Sequence, residues 1–424
     1  MSGKNWQSQR AVRSLVAGRD EAELVERLRP DAGDRLRLLP ASGSVTRERA
    51  LKLWGKLGAA AEIRDVILGD GDPAVYEGNI ENCLGELRMP LGFAGPLRVN
   101  GLFAKGDYPV PLATTEAALV ASYHRGCCLL GEVGGCTSML IYESVGRSPA
   151  FAFDDVADAG RFVAWVVGEV ERFKEVAGET TRHGELIDVA VTVEGNHVYL
   201  MFEFSTGDAS GQNMVTLATE KICGWIVEAS PVTPVRMWVE GNLSGDKKAS
   251  MKSFTSTRGK KVTAEALIPG QLIEKYLHTT AAELERYWRV SAIGGVLSGS
   301  FGVQGHFANG LAALYIATGQ DAACVAESAT GVTRFELRDE GALYAAVTLP
   351  GLMVGTVGGG TGLPTQRACL ELMGLAGSGN SRALAEVAAG LMLAGELSII
   401  GALAAGHFSR AHRKLARERV TPKD

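Results

Sequence analysis

Residues 186–204, LIDVAVTVEGNHVYLMFEF, contain two runs of alternating apolar and polar side chains on either side of the dipeptide Gly195-Asn196. Alternation with a period of two is typical of a strand with one buried face, and a Gly-Asn pair between two such runs indicates a β-hairpin. We therefore predict strands over residues 186–193 and 198–204.

The segments around this hairpin complete a recognisable unit. The hairpin is preceded by a predicted helix with Phe162, Trp165, Val166 and Phe173 on one side. A second helix is predicted over residues 213–227. Further strands are predicted near Ala150 and over residues 235–239. This split βαβ order is ferredoxin-like. We interpret residues 151–246 as a small domain inserted into a larger one, formed by residues 81–150 and 247–424, in an α+β fold.

Residues 1–80 are charged and helical in pattern, which predicts an arm of helices that packs on a neighbouring domain or subunit; apolar side chains lie near helical spacing at Leu51, Trp54, Leu57 and Ile63.

Composition excludes several classes of protein. A net charge of -5 over 424 residues gives no electrostatic signature for nucleic acid or for an anionic membrane. The N-terminus lacks an apolar signal core, and the richest apolar stretch, residues 397–405, is shorter than the roughly 18–20 residues that span a bilayer. Seven cysteines, an odd number, indicate reduced thiols, and no CxxC or His-rich spacing suits zinc. We expect a soluble cytoplasmic protein without a metal.

Five segments carry residues suited to catalysis: ENCLGELRMPLGFAGPL at 81–97, PLATTEAALVASYHRG at 111–126, DKK at 246–248, GQD at 319–321 and AAGHFSRAH at 404–412. In this order they resemble the 3-hydroxy-3-methylglutaryl-CoA (HMG-CoA) reductases, over about residues 81–417. The resemblance implies a large mixed α/β substrate domain with a central helix, an inserted cofactor domain and no membrane domain. It also implies a homodimer or higher homo-oligomer with shared active sites.

By this resemblance Glu116, Lys247, Asp321 and His412 are catalytic. It implies that Glu116 donates a proton, with Asp321 close enough for like-charge coupling to raise one pKa of the pair. It further implies that Lys247 stabilises an oxyanion and that His412, not His407, protonates the thiolate of coenzyme A. Local sequence alone favours ordinary roles: a first-turn glutamate, a solvated loop lysine, a cap aspartate and a surface or core histidine.

Two glycine-rich stretches, residues 205–214 and 355–361, are candidate cofactor loops, although neither has the GxGxxG fingerprint and ordinary turns explain both. The first precedes a predicted helix, whose N-terminal N–H groups suit a pyrophosphate. An arginine fork suits a 2′-phosphate, so NADPH is favoured over NADH. The resemblance implies these cofactor-binding residues: Thr181, Arg182, Asp208, Ala209, Gln212, Asn213, Met214, Val357, Gly358, Gly359 and Arg417. For the acyl-CoA substrate it implies Ser122, Arg125, Asn242, Asp246, Lys248, Arg289 and Asn309, while His306 equally fits a structural role.

Three positions depart from the family pattern where it holds the free carboxylate of the acyl group. Ala152 replaces an arginine, Glu240 a serine and Arg289 a lysine. Losing an arginine and gaining an acid disfavours an anion unless Arg289 compensates. Three hypotheses stay open: reduction of HMG-CoA to mevalonate, reduction of another CoA-bound or carrier-bound thioester, and an inactive homologue that serves as a binding subunit.

Overall fold

The computed structural model describes residues 18, 20–30, 40–181 and 183–406. The chain divides into two compact units, Met1–Leu87 and Arg88–Asp424. The predictions for Arg182, His407, His412 and Arg417 lie outside the described residues.

The first unit is helical where it is described, as predicted. Its elements are α1 (Glu21–Leu28), α2 (Arg47–Leu57), α3 (Ala61–Leu68) and a 3₁₀ turn (Pro73–Tyr76). Gly58, with a left-handed φ of 64°, ends α2, so the apolar pattern from Leu51 to Ile63 spans two helices. The buried face of α2 consists of Ala50, Leu53 and Trp54. The other apolar side chains of the predicted pattern, Leu51, Leu57 and Ile63, are exposed.

The second unit combines one mixed sheet with helices. Its strands are β1 (Leu91–Gly101), β2 (Lys105–Ala113), β3 (Cys136–Arg147), β4 (Ala150–Ala152), β5 (Leu186–Glu194), β6 (His197–Phe204), β7 (Arg236–Trp238), β8 (Gly259–Ile268), β9 (Gly302–Val303), β10 (Gly331–Leu337) and β11 (Leu343–Leu352). Its helices are α4 (Leu119–Glu132), α5 (Val156–Val166), α6 (Val170–Gly178), α7 (Gln212–Ala229), α8 (Lys252–Thr255), α9 (Gly270–Leu277), α10 (Ala281–Ser298), α11 (Phe307–Thr318), α12 (Val325–Ser328), α13 (Pro364–Leu372) and α14 (Ser381–Ala404). The α+β class is as predicted.

Strands β4 to β7 have the ferredoxin-like arrangement. The order is β7-β4-β6-β5 and every neighbouring pair is antiparallel. The Gly195-Asn196 turn joins β5 to β6 as predicted. The predicted helix through Phe162 and Phe173 is two helices, α5 and α6, which break around Gly168, a residue of low helix propensity. The domain boundaries at residues 151 and 246 stay a prediction.

Strand β3 joins this sheet to the larger one. Its first part pairs with β8 and its last three residues pair with β6. The path then continues from β8 through β11 and β10 to β9, while β1 pairs with β2 and β3. A side chain near the end of β3 therefore lies between the two parts of the unit.

Helix α14 is the core helix of the unit. It is long and apolar enough, by length and composition, to cross a membrane, which corrects our expectation of no such stretch. However, 78% of its most apolar window is buried inside the protein. Two carboxylates on α14 are wholly buried. Glu386 accepts hydrogen bonds from Phe103 and Ala104 N–H at 2.8 Å, and Glu396 accepts one from Gly305 N–H at 2.7 Å. These bonds tie two loops to the core.

Candidate functional site

Buried charged side chains hold the DKK loop, residues 246–248, in place. Arg147 Nη1 donates a hydrogen bond to Asp246 Oδ2 at 2.9 Å and lies 3.3 Å from Glu240 Oε2. Arg258 Nη2 lies 2.7 Å from Asp246 Oδ1, although the angle is not that of a hydrogen bond. Arg258 Nη1 donates to Glu327 at 2.6 Å. Both arginines are buried, so the predicted substrate residue Asp246 is a structural anchor of this loop.

Lys247 extends from this anchored loop towards the end of α11. Its backbone has a left-handed φ of 56°, a conformation that costs energy for a residue with a side chain. Lys247 Nζ lies 2.8 Å from Asp321 Oδ2. The hydrogen bond to Asp321 raises the pKa of Lys247, against the opposing effect of burial. The structure therefore corrects the alternative of a freely solvated loop lysine.

Asp321 both caps a turn and pairs with Lys247. Its Oδ1 accepts a hydrogen bond from Ala323 N–H at 3.0 Å, so the cap hypothesis was also correct. Burial by itself raises the pKa of Asp321, but Lys247, the Ala323 N–H and Gln212 together hold it below its usual value. Gln212 Nε2 lies 3.4 Å from Asp321 Oδ2. The ion pair is therefore charged on both sides at neutral pH.

Glu116 belongs to a different cluster. It is exposed and precedes α4, which begins at Leu119, so the predicted position in the first turn of a helix was wrong. The left-handed φ of 70° at Ala118 delays the start of the helix. Glu116 Oε2 accepts a hydrogen bond from Asn309 Nδ2 at 2.7 Å. Asn309, a predicted substrate residue, therefore orients the predicted proton donor.

Helix α11 separates the two clusters. Asn309 lies in its first turn, and Asp321 follows its last residue, Thr318. Nine residues at 1.5 Å each place about 14 Å of helix between Asn309 and Thr318. Among the described residues no ion pair or hydrogen bond joins Glu116 to Lys247 or Asp321. One chain thus brings Lys247 and Asp321 together but not the Glu116–Asp321 pair that we expected.

The two glycine-rich loops lie against each other. Thr356 N–H donates to Asp208 C=O at 2.8 Å, and Ala209 forms a parallel bridge with Val357. The Asp208 carboxylate accepts hydrogen bonds from Gly379 N–H at 2.7 Å and Ser381 N–H at 3.2 Å. Asp208 is therefore engaged at the start of α14, and its role as a direct cofactor ligand stays a prediction.

The remaining cofactor candidates lie around these loops. Thr181 Oγ1 lies 3.1 Å from Met214 Sδ, and Gln212 begins α7 with Asn213 exposed beside it. Gly211 precedes α7 without a side-chain cap, so N–H groups of the first turn lack a side-chain partner. Gly358 and Gly359 have positive φ and open space where a Cβ would lie. These features fit a loop that binds a phosphate-containing cofactor closely.

The substrate candidates lie at several places in the second unit. Arg125 donates to Ser398 Oγ and C=O, and Ser122 Oγ lies 2.9 Å from the same Ser398 hydroxyl. Lys248 Nζ donates to Asp246 C=O at 2.8 Å. Asn242 has a left-handed φ of 67° and its N–H donates to Glu240 at 2.6 Å.

The structure adds residues that sequence reasoning missed. Arg147, Arg258 and Glu327 form the buried charge cluster, and no local motif marks them, because a buried arginine and a surface arginine look alike in sequence. Gln320 was also missed, although it lies within the quoted GQD motif beside Asp321. No cluster of three or more His, Cys, Asp or Glu side chains in the described part of the chain is placed to hold a metal ion.

Comparison with known proteins links this chain to one family. The family model for hydroxymethylglutaryl-coenzyme A reductase matches residues 47–417. The 3-hydroxy-3-methylglutaryl-coenzyme A reductase of Haloferax volcanii is 43% identical to this chain, and the alignment covers 94% of this chain and 100% of that enzyme. The enzyme of the same name from Methanocaldococcus jannaschii is 44% identical over 80% of this chain and 85% of its own. The fold is similar to that of a class II 3-hydroxy-3-methylglutaryl-CoA reductase from Streptococcus pneumoniae bound to NADPH, with a TM-score of 0.64, 20% identity, and 84% and 96% of the two chains covered.

Proposed function

Because this chain belongs to the hydroxymethylglutaryl-CoA reductase family, we propose that it reduces HMG-CoA to mevalonate and free coenzyme A. The observation that carries the proposal is the Lys247–Asp321 ion pair of 2.8 Å, which lies beside Gln212 at the start of the candidate cofactor helix. NADPH, when bound, supplies the two hydrides that this reduction requires. The chain is accordingly an oxidoreductase.

The residues have separate roles in this proposal. The Lys247 ammonium stabilises negative charge that develops on the carbonyl oxygen of the substrate, and Asp321 keeps that ammonium charged and oriented. Glu116, oriented by Asn309, donates the proton to this oxygen. His412, which lies outside the described residues, protonates the departing thiolate.

The cofactor is proposed to lie along the two joined glycine-rich loops. The uncapped start of α7 and the glycines at 358 and 359 provide N–H groups and close approach. Arg182 and Arg417 are the proposed partners of the 2′-phosphate; both lie outside the described residues. This set favours NADPH over NADH.

We propose that the active enzyme is at least a homodimer with shared sites. Glu116 lies at one end of α11 and Lys247 at the other, with about 14 Å of helix between. A second copy that presents its Glu116 to the Lys247 of the first would complete the site. Glu116→Gln and Lys247→Ala subunits, each inactive alone, should therefore regain activity when mixed and reassociated. No recovery from confirmed mixed dimers would contradict sharing.

The acyl pocket is proposed to differ from the family pattern. Ala152 is buried in β4, and Glu240 is already engaged by Arg147, Asn242 N–H and Ser244. Arg289 is 68% exposed and pairs with Glu285 at 2.9 Å, a weak surface interaction that a substrate carboxylate can replace. Arg289→Met should therefore raise the KM for HMG-CoA steeply and leave a thioester without the carboxylate unchanged.

This pocket also favours a second candidate function, reduction of an acyl thioester that lacks the carboxylate. Glu240 remains an acid and Ala152 carries no charge, so these two positions offer no attraction to an anionic substrate. A wild-type preference for the neutral-ended thioester, with no effect of Arg289→Met on HMG-CoA, would select this candidate.

We propose a cytoplasmic location. All seven cysteines are free in the structure, which suits a reducing compartment.

The test of the proposed function is Lys247→Ala. Loss of the oxyanion partner should lower kcat for HMG-CoA-dependent NADPH oxidation by at least about a hundredfold. Lys275→Ala, a surface lysine that pairs with Glu132, is the matched control and should retain wild-type activity. A folded and fully active Lys247→Ala protein would contradict the mechanism.

A further inference from the structure

The carboxamide of Gln320 connects two parts of the site. Gln320 stands between Gly319, which ends α11, and Asp321. Its Oε1 accepts a hydrogen bond from Gly355 N–H at 2.8 Å, and its Nε2 donates to Gly355 C=O at 3.0 Å. Nε2 also donates to Thr318 C=O at 3.0 Å. Pairing with both backbone groups of one glycine requires a side chain that carries a donor and an acceptor together, as an amide does.

Gly355 is enclosed on its other side by the first glycine-rich loop. A Cβ on Gly355 would lie 2.6 Å from Ser210 N and 2.9 Å from Asp208 O. The backbone of the second loop also touches the Asp321 turn, since a Cβ on Gly360 would lie 2.7 Å from Gly319 O. The Asp321 turn and both glycine-rich loops therefore form one continuous stack of backbone.

Within this stack Gln320 is adjacent to the residue that pairs with Lys247. Gly355 opens the loop that contains Val357, Gly358 and Gly359, and Asp321 holds Lys247 at 2.8 Å. A displacement of the second loop relative to the Asp321 turn must break the Gln320–Gly355 pair. This pair therefore adds a directional restraint to the close backbone contacts between the two parts.

We propose that Gln320 is a positioning residue that holds the second glycine-rich loop in register with the Lys247–Asp321 pair. This inference rests on the proposed function, because it takes the loop as part of the cofactor site. The role of Gln320 is to align the bound cofactor with the ammonium group, and it makes no contact with the reacting atoms.

The test uses the protonation of a glutamate in place of the amide. In Gln320→Glu the ionised side chain only accepts hydrogen bonds, so Gly355 C=O loses its donor; protonation restores one donor and one acceptor. At about pH 8 we expect kcat to fall and the Kd for NADPH to rise by about tenfold each, the size of one lost hydrogen bond. The ratio of variant to wild type should recover as the pH falls towards the ordinary pKa of a glutamate, about 4.3, where the carboxyl gains its proton.

Two further variants control for charge and for loss of packing. Gln271→Glu adds the same charge on the exposed surface of α9 and should match the wild type at every pH. Gln320→Met keeps the length but has no amide, so its loss should not recover at low pH. A Gln320→Glu ratio that stays flat with pH, or an unchanged Kd for NADPH, would overturn the proposal.

Hydrogen exchange on the wild-type protein provides a measurement that needs no variant. Gly355 N–H should exchange slowly, because it is bonded to Gln320 and enclosed by Ser210, and rapid exchange would overturn the proposal. If the proposed function is wrong, the wild type will neither bind nor oxidise NADPH. If only this inference is wrong, the wild type will bind and oxidise NADPH, and the Gln320 variants will behave like the wild type.

Discussion

The Asp321→Asn substitution separates the catalytic value of the ion pair from its structural value. Lys247 and Asp321 keep 42% and 38% of their side-chain surfaces exposed. Solvent therefore limits the contribution of the pair to the free energy of unfolding to about 0.2–1 kcal/mol. Loss of one charge-assisted hydrogen bond at the moment when charge develops costs more, about 1.5–3 kcal/mol. We expect kcat to fall by about ten- to a hundredfold while stability barely changes.

The pH dependence gives this prediction a sign. Asp321 is the largest cause of the raised pKa of Lys247, so removing the carboxylate lowers that pKa. The charge of Lys247 is present below its ordinary pKa and is lost as the pH rises through its folded-state pKa. In Asp321→Asn the alkaline fall in kcat should therefore begin at a lower pH than in the wild type.

The assay is NADPH oxidation followed by absorbance from neutral to alkaline pH, with thermal unfolding of the same samples. Asp339→Asn, at an exposed position outside the site, is the matched control and should leave both measurements unchanged. Wild-type kcat in Asp321→Asn, or an alkaline limb that does not move, would refute the reasoning.

Three other substitutions test separate parts of the structure. Arg258→Met leaves buried Glu327 without its partner and should lower the free energy of unfolding by about 3–5 kcal/mol. The loss should be smaller at acid pH, where the Glu327 carboxyl is protonated. A loss below about 1 kcal/mol would show that the buried pair does not stabilise the fold. Asp208→Ala removes acceptors from two N–H groups at the start of α14 and should cost about 1 kcal/mol of stability as well as NADPH affinity; weaker NADPH binding with unchanged stability would instead indicate direct contact. Arg182→Ala should weaken NADPH by about 1.5–3 kcal/mol and NADH little, whereas equal weakening would remove the 2′-phosphate assignment.

Much of the fold could be predicted because its signals are local. Alternation and a Gly-Asn turn identify the β5–β6 hairpin within one residue at each end. The start of α4 could not be predicted, since the left-handed conformation at Ala118 has no marker such as glycine in the sequence. The exposure of Leu51, Leu57 and Ile63 could not be predicted for a related reason. Apolar spacing locates a helix, but packing determines which of its apolar side chains are buried.

The site was predictable by residue type but not by partner. The motifs identify Lys247 and Asp321, and the structure places them in contact. The separation of Glu116 from both follows from the length of α11, which no single motif contains. Asp208 shows the limit most clearly. A glycine-rich loop suggests a ligand, whereas its carboxylate binds a helix that begins at Ser381, far away in the sequence.

The central claim is most directly tested by the stoichiometry and product of the wild-type reaction. Purified protein is supplied with NADPH and HMG-CoA, with a thioester lacking the terminal carboxylate in parallel. NADPH loss, free thiol and the organic product are then measured together. We predict two NADPH oxidised for each thiol released, and mevalonate as the product. No oxidation with HMG-CoA, or reduction of only the neutral-ended thioester, would contradict the account.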